Sequence, residues 1–217
     1  MPEFDFEITG VEAATRGLAP LLHFKVAIRN QPETEAIHTA MLNVQIQLQS
    51  PQRSYSAEEK EKLGELFGKP ERWGQTLRNR LWGLSNTTVR GFTGTTEATL
   101  PMPCTFDLNV ASAKYFHGLE GGDVPLLFLF SGSIFYEGKN GQLQVQQISW
   151  NKECTYRMPL QVWKDMMEEH YPNSAWIGLQ RDIFDRLYAY KRSQGFTTWE
   201  ETIAGLLDAE QKTAVAV

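Results

Sequence analysis

The chain has 217 residues, of which 41% are hydrophobic and 22% charged, ordinary globular values that exclude a wholly disordered or collagen-like protein. Its 21 Lys and Arg face 26 Asp and Glu, leaving a net charge of −5, which argues against a nucleic-acid binder working through bulk positive charge. The longest unbroken apolar run covers residues 126–130, far short of the about 20 residues of a spanning helix. The start Met-Pro-Glu-Phe lacks the basic and apolar stretches of a secretory leader. Cys104 and Cys154 are the only cysteines, fewer and farther apart than a disulfide scaffold uses. A cytoplasmic protein without a membrane span is expected.

The first two thirds read as strands. Phe4, Phe6 and Ile8 alternate with Asp5, Glu7 and Thr9; Leu22, Phe24, Val26 and Ile28 alternate with polar or small residues; Leu42, Val44, Ile46 and Leu48 alternate with Asn43, Gln45, Gln47 and Gln49. Period 2 places one face of each strand in a core and the other in water. Pro32 and Pro51 end the second and third strands. Residues 51–82 read as a helical insertion. Ser56 and Glu59 have capping-box spacing, Leu63, Leu66 and Phe67 share a side, and Gly68 and Pro70 stop the helix. The spacing of Trp73, Leu77, Leu81 and Trp82 suggests a second helical turn.

Strands resume near Ser85 and include residues 95–100, after which Pro101 and Pro103 mark an edge or corner. Phe106, Leu108 and Val110 alternate as a further strand. Residues 124–135 read as a central strand. Within it Gly132, between Ser131 and Ser133, suits a bulge or close backbone approach better than a catalytic serine. Asn140-Gly141 suits a hairpin turn. Leu143, Val145 and Ile148 mark a returning strand whose alternation slips after Val145, as at a bulge. Cys154, Tyr156 and Met158 fit a last strand.

The final third is helical. Trp163, Met166, Met167 and His170 lie on one helix face, ended by Pro172. Ser174 is placed to cap a helix with the stripe Trp176, Leu179, Ile183, Leu187 and Tyr190, ending near Gly195. Thr198 and Glu201 repeat the capping box, and Trp199, Ile203, Leu206 and Leu207 are expected to face inward. Residues 208–217 read as a flexible tail. The expected fold is mainly β with α: an antiparallel β-sandwich over residues 1–158, with an immunoglobulin-like topology as one arrangement, and a helical segment at 159–207 packed on it.

Chemistry is sparse. Gly91 and Gly94 lack the lysine and helix of a phosphate loop. The acidic pairs Asp182/Asp185, Glu168/Glu169 and Glu200/Glu201 read as solvated helix faces. Cys104, Cys154, His38 and His117 lack zinc-motif spacing. No cofactor is expected. Residues 69–90 gather Lys69, Arg72, Arg78, Arg80 and Arg90 against Glu71, beside Trp73 and Trp82. Arginine and tryptophan anchor protein interfaces, so Arg72, Trp73, Arg78, Arg80 and Trp82 are the protein-binding candidates. The competing reading places both rings in the gap between insertion and sheets, with the arginines solvated around them.

Three stretches resemble a known family. The first runs from Arg53-Ser-Tyr-Ser-Ala-Glu-Glu through Leu66-Phe-Gly-Lys-Pro-Glu-Arg-Trp-Gly74. The second runs from Phe92-Thr-Gly-Thr-Thr-Glu97 through Leu100-Pro-Met-Pro-Cys-Thr-Phe-Asp107 and Lys114-Tyr-Phe-His117 to Pro125-Leu-Leu-Phe-Leu-Phe-Ser-Gly132. The third is Pro172-Asn-Ser-Ala-Trp176 with Arg181-Asp-Ile-Phe-Asp185. Together they resemble a bacterial family of unknown function often encoded beside nickel–iron hydrogenase genes. The resemblance implies an accessory role in hydrogenase biogenesis and maps no catalytic residue. The chain lacks the paired Cys-x-x-Cys motifs that hold metal clusters. The expected function is thus a non-catalytic binding or assembly accessory with a protein partner. The alternatives are an enzyme whose site assembles His38, His117, Glu120 and Asp123, and a metal chaperone using Cys104 and Cys154.

Overall fold

Strand-forming alternation at the N-terminus becomes two antiparallel sheets in a computed structural model describing residues 1–14, 17–104, 110–138, 141–175 and 177–215. Residues Met1–Ser174 form one compact unit and Ala175–Val217 a second. In the first unit, β1 (Glu3–Ala13), β2 (Leu21–Gln31) and β3 (Ala36–Leu48) are the three expected strands. They are followed by short helices α1 (Ala57–Lys62), α2 (Gly64–Phe67) and α3 (Trp73–Thr76). Next come β4 (Arg80–Thr93), β5 (Thr95–Pro103), α4 (Val110–Gly118) and β6 (Asp123–Glu137). Strands β7 (Leu143–Gln147) and β8 (Glu153–Pro159) and helix α5 (Leu160–His170) complete it.

One sheet has the order β1-β2-β5; the other has the order β4-β3-β6-β7, with β8 also pairing β6. Strand β6 is central because its apolar sequence is needed on several sides. It pairs with β3 along its length, with β8 near its start and with β7 near its end. The apolar positions of the alternating strands meet in one core. Phe6 of β1 stacks on Phe130 of β6 at 4.0 Å between centroids, and Phe24 of β2 meets Phe128 of β6 edge-on at 5.1 Å. Offset and edge-on aromatic pairs add to the area that they bury.

The structure corrects several expectations. Residues 77–82 are not helical. Leu77 is already extended and β4 begins at Arg80. The β3–β4 register shifts between Ile46 and Gln47, so that Ile46 faces Gly83 while Gln47 faces Leu81. Trp82 is the extra residue of this bulge, which turns its ring inward. Phe106 and Leu108 lie outside the described residues, and Val110 starts a helix rather than extending a strand. That helix buries Tyr115 and Phe116, aromatic residues whose strand preference is easily overridden by packing. The slip after Val145 is not a bulge: β7 keeps register with β6 from Leu143 to Gln147 and then ends. Ile148 leaves the strand, is buried, and donates its amide to the Gly132 carbonyl at 2.9 Å.

The second unit holds α6 (Arg181–Gln194) and α7 (Trp199–Val215). Helix α6 starts later than expected, with Gln180 and not Ser174 at its N-cap; Trp176 lies outside the described residues. Gly195 ends it in the left-handed conformation at φ 74°. The Thr198–Glu201 capping box is present in both directions. Helix α7 continues to Val215, so residues expected in a tail are helical. Ile203, Leu206 and Leu207 are exposed rather than inward-facing.

Candidate functional site

The insertion is organised by one arginine. After Pro51 the chain makes a short turn, and Arg53 reaches back to the connection between α4 and β6. Its guanidinium donates to the Gly121 carbonyl at 2.6 Å, to the Asp123 carbonyl, and to Glu59 Oε1 at 2.7 Å. Glu59 also accepts the Ser56 and Glu120 amides at 3.1 and 2.9 Å, while its own amide bonds to Ser56 Oγ. Both side chains of the ion pair are over nine-tenths buried. Burial alone would raise the Glu59 pKa. The Glu120 amide, Arg53 and the Ser56 amide outweigh it and hold the carboxylate below its usual range. Beside this clamp the Tyr55 hydroxyl donates to the Ser50 carbonyl at 2.8 Å and lies 3.1 Å from the Tyr115 hydroxyl.

The binding candidates separate into two groups. Trp73 and Trp82 are core residues. Trp73 Nε1 donates to the Gly68 carbonyl at 2.9 Å, and its ring meets Tyr55 and Phe67 edge-on. Trp82 packs on Phe24 and Phe116. Neither ring is available as a surface anchor, because the insertion must bury large apolar area to hold its short helices. Arg72 and Arg78 are exposed. Arg80 is half-buried, 5.0 Å over the Phe67 ring and 3.4 Å from the Leu66 carbonyl, so it also serves packing. The bulge at Trp82 leaves Leu81 and Leu84 of β4 exposed, at 50% and 69%.

These two leucines stand on a cavity of about 310 Å³, whose lining includes Trp82, Met102, Cys104, Phe116 and Trp163. Trp163 of α5 stacks on Phe116 of α4 at 4.7 Å. The cavity is mostly apolar, suited to an apolar side chain or ligand rather than to proton transfer.

The residues of the enzyme alternative are not brought together. His38 lies on β3 beside the end of β6, whereas Asp123 begins β6. Glu120 accepts from Lys62 at 3.2 Å and lies 3.5 Å from Ser56 Oγ. His117 packs edge-on against Trp163, with its pKa lowered by burial and by Lys164. For the metal alternative, Cys104 follows β5 and Cys154 lies on β8, in different sheets. Among the described residues no group of three His, Cys, Asp or Glu could hold a metal ion. Cys104 is buried, and burial pushes its thiol up to about 12; burial pushes Cys154 up to about 11. A shift of Cys104 from 9 to about 12 leaves roughly a thousandfold less thiolate at pH 8. Thiol titration with a chromogenic disulfide should therefore be slow in the native protein, with Cys154 reacting before Cys104, and complete on unfolding. Rapid native modification of Cys104 would contradict this placement.

Sequence reasoning missed Arg53, Tyr55 and Tyr115. Glu59 was legible as a capping residue, but its ion-pair partner sits in an irregular turn and bonds to carbonyls about seventy residues away. A lone cation between Pro51 and a capping serine was the available signal.

Among the described residues no helix is long and apolar enough to cross a membrane. No curated protein sequence matches the chain. Solved structures show low similarity. A β-glucosidase from Kluyveromyces marxianus is 11% identical over 72% of this chain and 15% of its own, with a TM-score of 0.27. A β-glucosidase from Paenibacillus barengoltzii is 14% identical over 86% of this chain and 22% of its own, with a TM-score of 0.28. A solution structure described as a late embryogenesis abundant protein is 12% identical over 73% and 72% of the two chains, with a TM-score of 0.28. The chain thus spans less than a quarter of the length of these two glucosidases. A family model covers residues 1–215 of this sequence, and the chain belongs to that family of unknown function, DUF6084.

Proposed function

We propose that this chain is a non-catalytic binding or assembly accessory that acts in the cytoplasm on a protein partner. Its two sheets form an antiparallel sandwich of immunoglobulin-like kind. The observation that carries the reading is the surface left by the β4 bulge. Exposed Leu81 and Leu84 border an apolar cavity, and exposed Arg78 precedes them on the chain. An apolar centre with a cationic rim is the composition of a protein interface. The net charge of −5 and the arginines together favour an acidic patch on the partner over a phosphate backbone. The resemblance to a family encoded beside nickel–iron hydrogenase genes makes a hydrogenase precursor or a maturation factor the partner class to test first.

The test uses Arg78→Glu/Leu84→Glu, which spares the packed Arg80. Both positions are exposed, so stability should change by no more than about 0.5 kcal/mol each. The parent and the variant are immobilised, challenged with host lysate, and the captured proteins quantified by mass spectrometry. In parallel, each is returned to a gene-deletion strain and hydrogenase activity is assayed. Partner capture should fall at least tenfold and complementation should fail. Equal capture by a variant with the parent's melting temperature would refute the site. Full hydrogenase activity in the deletion strain would refute the hydrogenase assignment alone.

A further inference from the structure

The second unit carries an apolar face that its own fold does not cover. The hairpin itself is well built. Gly195 and Phe196 donate their amides to the Arg192 and Lys191 carbonyls at 3.3 and 3.1 Å, and Lys191 Nζ donates to the Phe196 and Thr197 carbonyls at 2.9 and 2.6 Å. Phe196 lies on Gly205, where a Cβ would approach the ring to 2.8 Å, so the turn packs directly on α7. Trp199 of α7 meets Phe184 and Tyr188 of α6. Yet among the described residues of Ala175–Val217, no hydrophobic side chain is buried. Ile183, Phe184, Tyr188, Ile203, Leu206 and Leu207 are 37–55% exposed. Phe184, Trp199 and Ile203 border a groove of about 720 Å³ with Ile177 and Leu179. Two helices of 14 and 17 residues cannot supply a sufficient core alone, and a contiguous exposed apolar face marks an association surface.

We infer that the occupant of this face is the same face of a second copy, the two hairpins forming a four-helix bundle with two-fold symmetry. The argument is charge. Helix α6 carries Arg181, Arg186, Lys191 and Arg192 against Asp182 and Asp185, whereas α7 carries Glu200, Glu201, Asp208 and Glu210 against Lys212. The hairpin thus presents one cationic and one anionic helix side by side. A partner of a single charge sign would be repelled by one of them. A two-fold partner escapes this, because every contact occurs twice with the residues exchanged. Facing α6 of one copy to α7 of the other places opposite signs together on both sides of the axis. Helices of about 21 and 26 Å match in length across such a pairing, and apolar stripes at helical spacing are what bundle cores use.

The experiment is sedimentation of the full chain. It should sediment at twice the chain mass at roughly 50 µM, and Phe184→Glu/Leu206→Glu should sediment as a monomer with unchanged sheet circular dichroism. The second arm is a charge exchange. Arg181→Glu/Arg186→Glu makes both helices anionic, and Glu200→Lys/Glu210→Lys moves α7 to positive charge. Each variant alone should be at least tenfold weaker in self-association, and an equimolar mixture should recover a mixed dimer. A monomeric parent at that concentration overturns the inference, whatever else covers the face. A dimer that survives every variant overturns it as well. A dimer whose charge variants do not recover on mixing overturns the α6–α7 pairing. None of these residues belongs to the surface around Leu84, so failure here and failure of the proposed function are separable.

Discussion

Gly132→Ala is expected to abolish the folded state or to leave an expanded, poorly soluble protein. Gly132 sits mid-way along β6 opposite Leu42, at φ 138°, a conformation that L side chains rarely adopt. The backbone strain alone costs about 1–3 kcal/mol. A Cβ would also lie 1.9 Å from the Met41 carbonyl oxygen and 3.3 Å from the Leu42 Cα. The obstruction is backbone, not the end of a flexible side chain. Neither strand can withdraw, because β3 pairs with β4 on its other side and Ile148 holds the Gly132 carbonyl at 2.9 Å. Strain and clash together should consume a large part of a typical stability of about 5–15 kcal/mol. Gly10→Ala is the control: nothing lies within 4 Å of the new methyl group, and the change should stay within roughly 1 kcal/mol. Thermal melts of the two variants decide the matter, and a Gly132→Ala protein melting with the parent would disprove the close approach of β6 to β3.

The second large effect is expected at the Arg53–Glu59 clamp. Removing one partner of a buried ion pair strands the other and costs about 3–5 kcal/mol. For a domain of this size that is a fall of roughly 10 °C in melting temperature. Glu59→Gln should show it, since an amide cannot answer the guanidinium charge and the part-buried Ser56 and Glu120 amides lose a charged acceptor. Arg53→Ala should cost as much, because the Gly121 and Asp123 carbonyls also lose their donor. Arg53→Lys should be intermediate, keeping charge without the fork that spans three acceptors. The pH dependence has a definite sign. The folded pKa of Glu59 is below its ordinary value of 4.5. Its contribution to stability is therefore fully present above about pH 4.5 and is lost as pH falls through the folded pKa. The parent should lose stability in that acid range, and Glu59→Gln should lose less over the same range. Denaturant melts from pH 7 to pH 3 supply the comparison. Parallel stability curves for parent and variant would show that the carboxylate is not held ionised by the fold.

The separation of Arg80 from Arg78 changes how the proposed binding surface is probed. A substitution at Arg80 strips a cation from the Phe67 ring and confuses packing with recognition. Arg78 and Leu84 are free of that difficulty, since the exposed Arg78 donates to its own neighbour's carbonyl, that of Leu77, and Leu84 is more than two-thirds exposed.

What the sequence alone determined is what depends on neighbours in the chain. Period 2 located β1, β2 and β3, because a half-buried strand repeats its environment every second residue. The Ser56–Glu59 and Thr198–Glu201 boxes located two helix starts, because each satisfies its amides within four residues. The spacing of Trp163, Met166 and Met167 identified the buried face of α5. Gly132 was legible as a bulge or a close backbone approach, and the unbroken β3–β6 register around it shows the second. The tertiary structure decided everything that depends on residues distant in the chain. Whether Trp82 faces a partner or the core turned on a one-residue register shift between β3 and β4, and the burial of Trp73 turned on its contacts with Tyr55, Phe67 and the Gly68 carbonyl. The role of Arg53 turned on carbonyls in the α4–β6 connection, which no local pattern announces. Val110–Gly118 became a helix because Tyr115 and Phe116 gain more from the core than from strand preference. For α6 and α7 the stripe showed which residues are apolar; their exposure emerged only in three dimensions, because a stripe specifies a face and not what covers it.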